Sequence, residues 1–170
     1  MKSSHKTELV IVRYRQMLIV ALTIAGLAGT TLAQQSDPPN NIFAQTLVDE
    51  FTAKYVRVIT IGLHAKLPNS SEYQIIAHSL KDRPGRKSTP ADLEVIRTGR
   101  PDGPNGVGGG VFDVALPLYD RSGATIGAVV IHVKPGKGDP KVETLKLASR
   151  VRDEISKQIS SEAKLFERVN

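Results

Sequence analysis

The chain has 170 residues and carries 23 Lys and Arg against 17 Asp and Glu, a net charge of +6. Its length predicts a single domain, and with no cysteine it has no disulfides, thiol nucleophiles or thiolate metal sites, so the fold rests on its apolar core. Four of the basic residues and one acid fall in positions 1–33, leaving +3 on the remainder, too mild a charge to argue for nucleic acid.

Lys2, Lys6, Arg13 and Arg15 precede the apolar run 17–29, and Thr31-Leu32-Ala33 follows with small residues at its first and last positions. This is the pattern of a secretory signal peptide, residues 1–33, with cleavage expected after Ala33 and a periplasmic or secreted product. The alternative is a retained membrane anchor, but the run is shorter than the ~20 residues a spanning helix needs. Residues 34–41, polar and with two prolines, read as a linker, and residues 42–166 as the domain.

Phe43, Leu47, Phe51 and Tyr55 recur every four residues, widened by Ala44 and Val48, which predicts a first helix capped by Asn40 or Asn41. Residues 55–65 and 73–79 read as two strands joined by the turn Pro68-Asn69-Ser70-Ser71. After the charged loop 81–87, Thr89-Pro90-Ala91-Asp92 supplies a capping hydroxyl, a first-turn proline and an acid, so a short helix starts there and stops at Gly99. The glycine-rich stretch 100–110 reads as a mobile connection. It leads to the strongest signal, 111–133, where two β-prone runs flank Asp120-Arg121-Ser122-Gly123 as a hairpin. The second run is apolar almost throughout, as a central strand covered on both faces would be. Asp139-Pro140 opens a last helix of about five to six turns, with Leu145, Ala148, Val151, Ile155 and Ile159 on its apolar face. The expected class is α+β: an antiparallel sheet of four strands with its helices on one side.

Three stretches carry a family resemblance. The first helix runs into YVRVITIGLHA; Pro84-Gly85-Arg86-Lys87-Ser88 precedes a short helix ending in Thr98-Gly99; and Pro117, Leu118, Tyr119 and Asp120 lead through a glycine turn to Ile126, Gly127, Ala128 and Val129. Over residues 42–158 the chain resembles the extracytoplasmic PAS-like sensor domains called Cache domains. The resemblance implies an antiparallel sheet flanked by N- and C-terminal helices and a short helix. It also implies a small-molecule pocket between the sheet, the short helix and the loops, and no catalysis. Amino-acid-binding members use a constellation that includes tryptophan; this chain has none, so ligand identity does not transfer.

Candidate site residues follow from charge and strand phase. Arg83, Arg86 and Lys87 suit a carboxylate or phosphate, or simply solvate their loop. Asp113 stands out of phase with Phe112, Val114, Leu116 and Leu118, so it can line a pocket or face water, with Tyr119 on the same face. His78 closes its strand beside the charged loop. His64, His78 and His132 would form a metal site only if the fold brought them together, because no pair has local ligand spacing. The glycines of 103–110 precede a strand and lack a following Gly-Lys-Ser/Thr, so no phosphate loop is read; nor does a Gly-x-Ser-x-Gly elbow occur. The expectation is a non-catalytic, exported small-molecule sensor, with no cofactor, no nucleic-acid partner, and a membrane-bound signalling partner. The alternative is an interaction protein working through its helices as a homodimer.

Overall fold

The computed structural model describes residues 41–169. The expected signal peptide and most of the linker lie outside the described residues. Those described form α1 (Phe43–Lys54), β1 (Val58–Lys66), β2 (Tyr73–His78), α2 (Pro90–Thr98), β3 (Asp102–Gly108), β4 (Val111–Tyr119), β5 (Thr125–Val133) and α3 (Pro140–Gln158), followed by a 3-10 turn, Glu162–Phe166. The strands make one antiparallel sheet in the order β2-β1-β5-β4-β3. The α+β class read from the sequence is the one observed.

The β4–β5 hairpin is held by its turn chemistry. Asp120 Oδ1 accepts hydrogen bonds from Ser122 N at 2.8 Å, Ser122 Oγ at 2.6 Å and Ala124 N at 3.2 Å, the local pattern that lets an aspartate start a turn. β5 then lies at the centre of the sheet, as its continuous apolar run predicts. Gly127 is required there: a Cβ at this position would sit 2.0 Å from the His64 carbonyl oxygen of β1.

α1 and α3 cover one face of the sheet. Leu47 and Phe51 of α1 and Val151 and Ile155 of α3 pack with Ile61, Leu63, Leu116, Leu118 and Ile131 in the main core. α2 lies on the opposite face, where Val95 meets Ala115 and Ala128. The helices are therefore on both sides, not one. The reason is that β4 and β5 each present a second apolar edge, small but continuous, which α2 buries.

Three further expectations are corrected. The stretch 100–110 is not a free connection: Asp102–Gly108 forms edge strand β3, paired through Asp102 with Ala115 and Asn105 with Asp113. Glycine at 103 permits this approach, since φ is 93° and a Cβ would lie 2.7 Å from the Asp113 carbonyl. Ile42, not Asn41, takes the cap position of α1, and Phe43 N donates to Glu167 O at 2.8 Å; Asn40 lies outside the described residues. Leu145 is 37% exposed, and the core face of α3 runs through Thr144, Leu147, Ala148, Val151 and Ile155.

Candidate ligand site

Cross-strand partners share a face of a sheet, so the register fixes what lies under α2. Thr60, His132 and Asp113 form one row across β1, β5 and β4. Gly62, Val130 and Ala115 form the next, and His64, Ala128 and Pro117 the third. His78 joins the middle row, opposite Gly62, because β2 carries a bulge: Ala77 pairs with Leu63 and Ile75 with His64, leaving Ile76 as the extra residue. Without that bulge His78 would point into the α1–α3 core. This face thus collects three histidines, an aspartate and small side chains.

His64 is buried, 5% exposed, with Nδ1 3.0 Å from Ser88 Oγ and 3.5 Å from Asp92 Oδ2. Asp92 also serves the start of α2. Its Oδ2 accepts from Thr89 N at 2.8 Å and from Thr89 Oγ1 at 2.7 Å, completing a capping box. Burial pushes the His64 pKa below its ordinary value, outweighing the opposing pull of Asp92 and Asp113.

His78 Nδ1 accepts a hydrogen bond from Leu80 N at 2.8 Å. Burial first, and then the positive charge of Arg83, lower its pKa to about 4. Its ring lies against Gly62: a Cβ there would be 2.7 Å from His78 Cδ2, 3.4 Å from its Nε2 and 3.7 Å from His64 Nε2. On β4, Asp113 Oδ1 stands 3.4 Å from His132 Nε2, yet it is buried and accepts no hydrogen bond. A buried carboxylate oxygen without a donor is costly unless something else supplies one.

The structure brings His78 and Asp113 to this face, with Arg83 near enough for its charge to act on His78. Arg86 and Lys87 lie outside it. Arg86 bonds Asp82, at 2.8 Å from Nη2 to Oδ2, and Lys87 bonds Glu72 at 2.8 Å, all four side chains exposed. Their backbone runs beside β2, where Ile75 N donates to Arg86 O at 2.8 Å. Tyr119 does not share the face of Asp113. At the end of β4 its ring lies 5.1 Å from the Arg152 guanidinium of α3, and its N donates to Ser156 Oγ. Sequence reading missed the His64–Ser88–Asp92 group, because Ser88 and Asp92 read as helix-start residues.

Among the described residues no three His, Asp or Glu side chains are grouped so as to hold a metal ion. The surface cavities lined by described residues include the following two. One of about 270 Å³ is lined by Gln45, Asp49, His78, Ser79, Lys81 and Pro84. The other, about 420 Å³, lies between the Leu67–Ser70 turn and the 3-10 turn, away from every histidine. The smaller one lies at the β2 edge between α1 and the charged loop, with His78 in its lining.

No protein-family model matches the chain, and no curated protein matches it in sequence. Solved structures of similar fold include a protein described as a GAF sensor from Burkholderia vietnamiensis, at 13% identity and TM-score 0.44 over 92% of each chain. The repressor BlcR of Agobacterium tumefaciens matches at 12% identity and TM-score 0.43, over 72% of this chain and 69% of that one. The periplasmic domain of RsbU from Chlamydia trachomatis matches at 11% identity and TM-score 0.40, over 84% of this chain and 46% of that one. What the chain has in common with them is the fold alone.

Proposed function

We propose that the chain is an exported, periplasmic and non-catalytic sensing module of the Cache type, which binds a small molecule on the α2 face of its sheet. The observation that carries this reading is the contrast between the two faces. One is filled by leucine, isoleucine and phenylalanine against two long helices. The other is floored by Gly62, Ala115 and Ala128, carries His64, His78, His132 and Asp113, and is covered by one short helix. Small floor residues with convergent polar groups are the make-up of a ligand site. Export rests on the basic and apolar pattern of residues 1–33. A ligand held there touches the sheet and the Ser88–Asp92 segment together, so binding biases the docking of α2, and a membrane-bound partner can read that shift. The alternative, an interaction protein working through its helices, is favoured by Val142 and Leu145, exposed one turn apart on α3.

A thermal-shift panel of organic acids, amino acids, nucleobases, amides and divalent metals tests the proposal. At a hundredfold excess over Kd, a ligand that binds only the folded state adds about 2.7 kcal/mol, a rise of the order of 10 °C for a domain of this size. One chemical class is expected to give a dose-dependent rise that His78→Phe removes and Lys87→Ala keeps. No shift from any class, or a shift indifferent to His78→Phe, would refute it.

A further inference from the structure

The most exposed apolar side chains of the domain meet at one place. Among the described residues Val56, at 94%, and Val142, at 62%, are the two most exposed large hydrophobic side chains. Val56 stands at the corner of the turn between α1 and β1, which Val58 N closes onto Tyr55 O at 2.8 Å. Such corners ordinarily take glycine, proline, asparagine, aspartate or serine, and the burial that recruits valine elsewhere in the fold is missing here. Two contacts set this turn beside the start of α3. Arg57 Nη1 lies 3.7 Å from Glu143 Oε2. Arg57 O accepts from Lys134 N at 2.8 Å, which draws in the loop after β5. The Arg57 guanidinium also passes over Gly136 of that loop, where a Cβ would collide with Nη1. On α3, Val142 shares a face with Leu145, also exposed, and with Lys146 one turn on. Charge follows the same outline. Lys134, Lys137, Lys141 and Lys146 are exposed, and their ammonium groups have no partner among the described residues. The two acids of this stretch are occupied: Glu143 faces Arg57, and Asp139 Oδ1 accepts from Lys141 N and Val142 N at the start of α3.

We infer that this end of the domain docks on an anionic lipid surface, with Val56, Val142 and Leu145 entering the headgroup layer and the four lysines meeting lipid phosphates. Basic side chains beside exposed apolar ones are what such a surface attracts. Lysine suits the task, because its stem lies along apolar surface while its ammonium stays in water. A protein partner would select a different make-up: the centres of protein interfaces are rich in tyrosine, tryptophan and arginine and poor in lysine. The patch lies on the α1–α3 side of the sheet, so it leaves the α2 face to a ligand and stands whether or not one binds there. It also gives the exported domain a way to sit beside a membrane-bound partner.

The chain has no cysteine, so Val56→Cys and Leu93→Cys each create a single attachment point for an environment-sensitive fluorophore in the full chain. Leu93 is the control, exposed on α2 across the sheet from the patch. Each labelled protein is titrated with vesicles of phosphatidylcholine alone and of phosphatidylcholine mixed with phosphatidylglycerol. The label reports its own surroundings, which separates docking of the patch from any binding by the apolar run 17–29. Expected is a blue shift at position 56 on the anionic vesicles only, with position 93 silent on both. Raising salt from about 0.1 M to about 1 M shortens the screening length from about 10 Å to about 3 Å and should reverse most of the shift. Each lysine near an anionic surface contributes about a fivefold factor in affinity, so Lys137→Ala combined with Lys141→Ala should raise the lipid concentration needed about 25-fold. A position-56 label that is silent on anionic vesicles, shifts equally on neutral ones, or ignores the lysine substitutions overturns the inference. So does a shift produced by polyglutamate and not by vesicles, which would assign the face to an acidic protein instead.

Discussion

Asp92 joins the start of α2 to the buried histidine of β1, so Asp92→Ala perturbs both at once. The aspartate is 7% exposed. Removing its carboxylate leaves the Thr89 N–H without the acceptor it now has at 2.8 Å, and the Thr89 hydroxyl without its 2.7 Å bond. Losing an N-cap interaction costs about 1 kcal/mol, within a range of about 0.5–2, and hydrogen bonds to a charged group contribute about 1.5–3 kcal/mol. Because the two bonds share one oxygen and the threonine can still turn to water, the expected loss is about 2–4 kcal/mol, not the sum of the separate maxima. Asp92→Asn keeps one acceptor at the cap and should cost about half as much. Urea unfolding measures both, and an unchanged m-value would show that the denatured state has not altered. A second readout ties the loss to the histidine: the carboxylate 3.5 Å from His64 Nδ1 favours a proton on that nitrogen, and its removal should shift the ring toward the Nε2–H tautomer. An Asp92→Ala protein within about 0.5 kcal/mol of the parent, or one with an unmoved His64 tautomer, would refute the reasoning.

Acid should destabilise the fold before its carboxylates titrate. Burial and Arg83 lower His78 to about 4, and burial lowers His64 as well, while the unfolded chain takes up its histidine protons near 6.5. The unfolded state then binds more protons between those values, so this stability is complete above about pH 6.5 and lost as pH falls toward 4. With the half-buried His78 ring screened by water, the expected loss is about 1 kcal/mol between pH 7.5 and 5, flattened by His78→Phe. Urea unfolding that shows greater stability at pH 5 would contradict it. On α3, Leu147→Ala removes a side chain that is 5% exposed and should cost about 2–5 kcal/mol. Leu145→Ala, at 37% exposure, should stay within about 0.5 kcal/mol by the same measurement; equal losses would show the helix face misassigned.

Local chemistry was legible and non-local geometry was not. The Asp120 turn, the Thr89–Asp92 capping box, the Gly99 stop and the Asp139 cap each act within four residues, and each is found as read. β3 escaped because Asp-Gly-Pro-Asn-Gly-Val-Gly has no apolar alternation; it is a strand because β4 offers an unpaired edge. Tyr119 turned out to contact α3 at the strand end, and the route by which His78 reaches its row went unseen for a separate reason. A bulge shifts strand phase by one residue, and period-two reading has no way to register it. The partners of His64, Ser88 and Asp92, stand 24 and 28 positions further along the chain, beyond the reach of any spacing rule.

One asymmetry in the strands does lie open in the sequence. On β1, Ile61, Leu63 and Ala65 alternate with Thr60, Gly62 and His64; on β4, Val114, Leu116 and Leu118 alternate with Asp113, Ala115 and Pro117; on β5, Val129, Ile131 and Val133 alternate with Ala128, Val130 and His132. In each strand the large side chains take one phase and the small or polar ones the other, and the register lays the matching phases side by side. A central strand buried on both faces can therefore still have unequal faces. The large phase demands two long helices to cover it, which α1 and α3 supply. The small phase needs much less covering, and the apolar contacts of α2 there are with Ala115, Ala128 and Val130. The close approach of the His78 ring to β1 over Gly62 is a consequence of that inequality, because a Cβ at position 62 would lie 2.7 Å from His78 Cδ2.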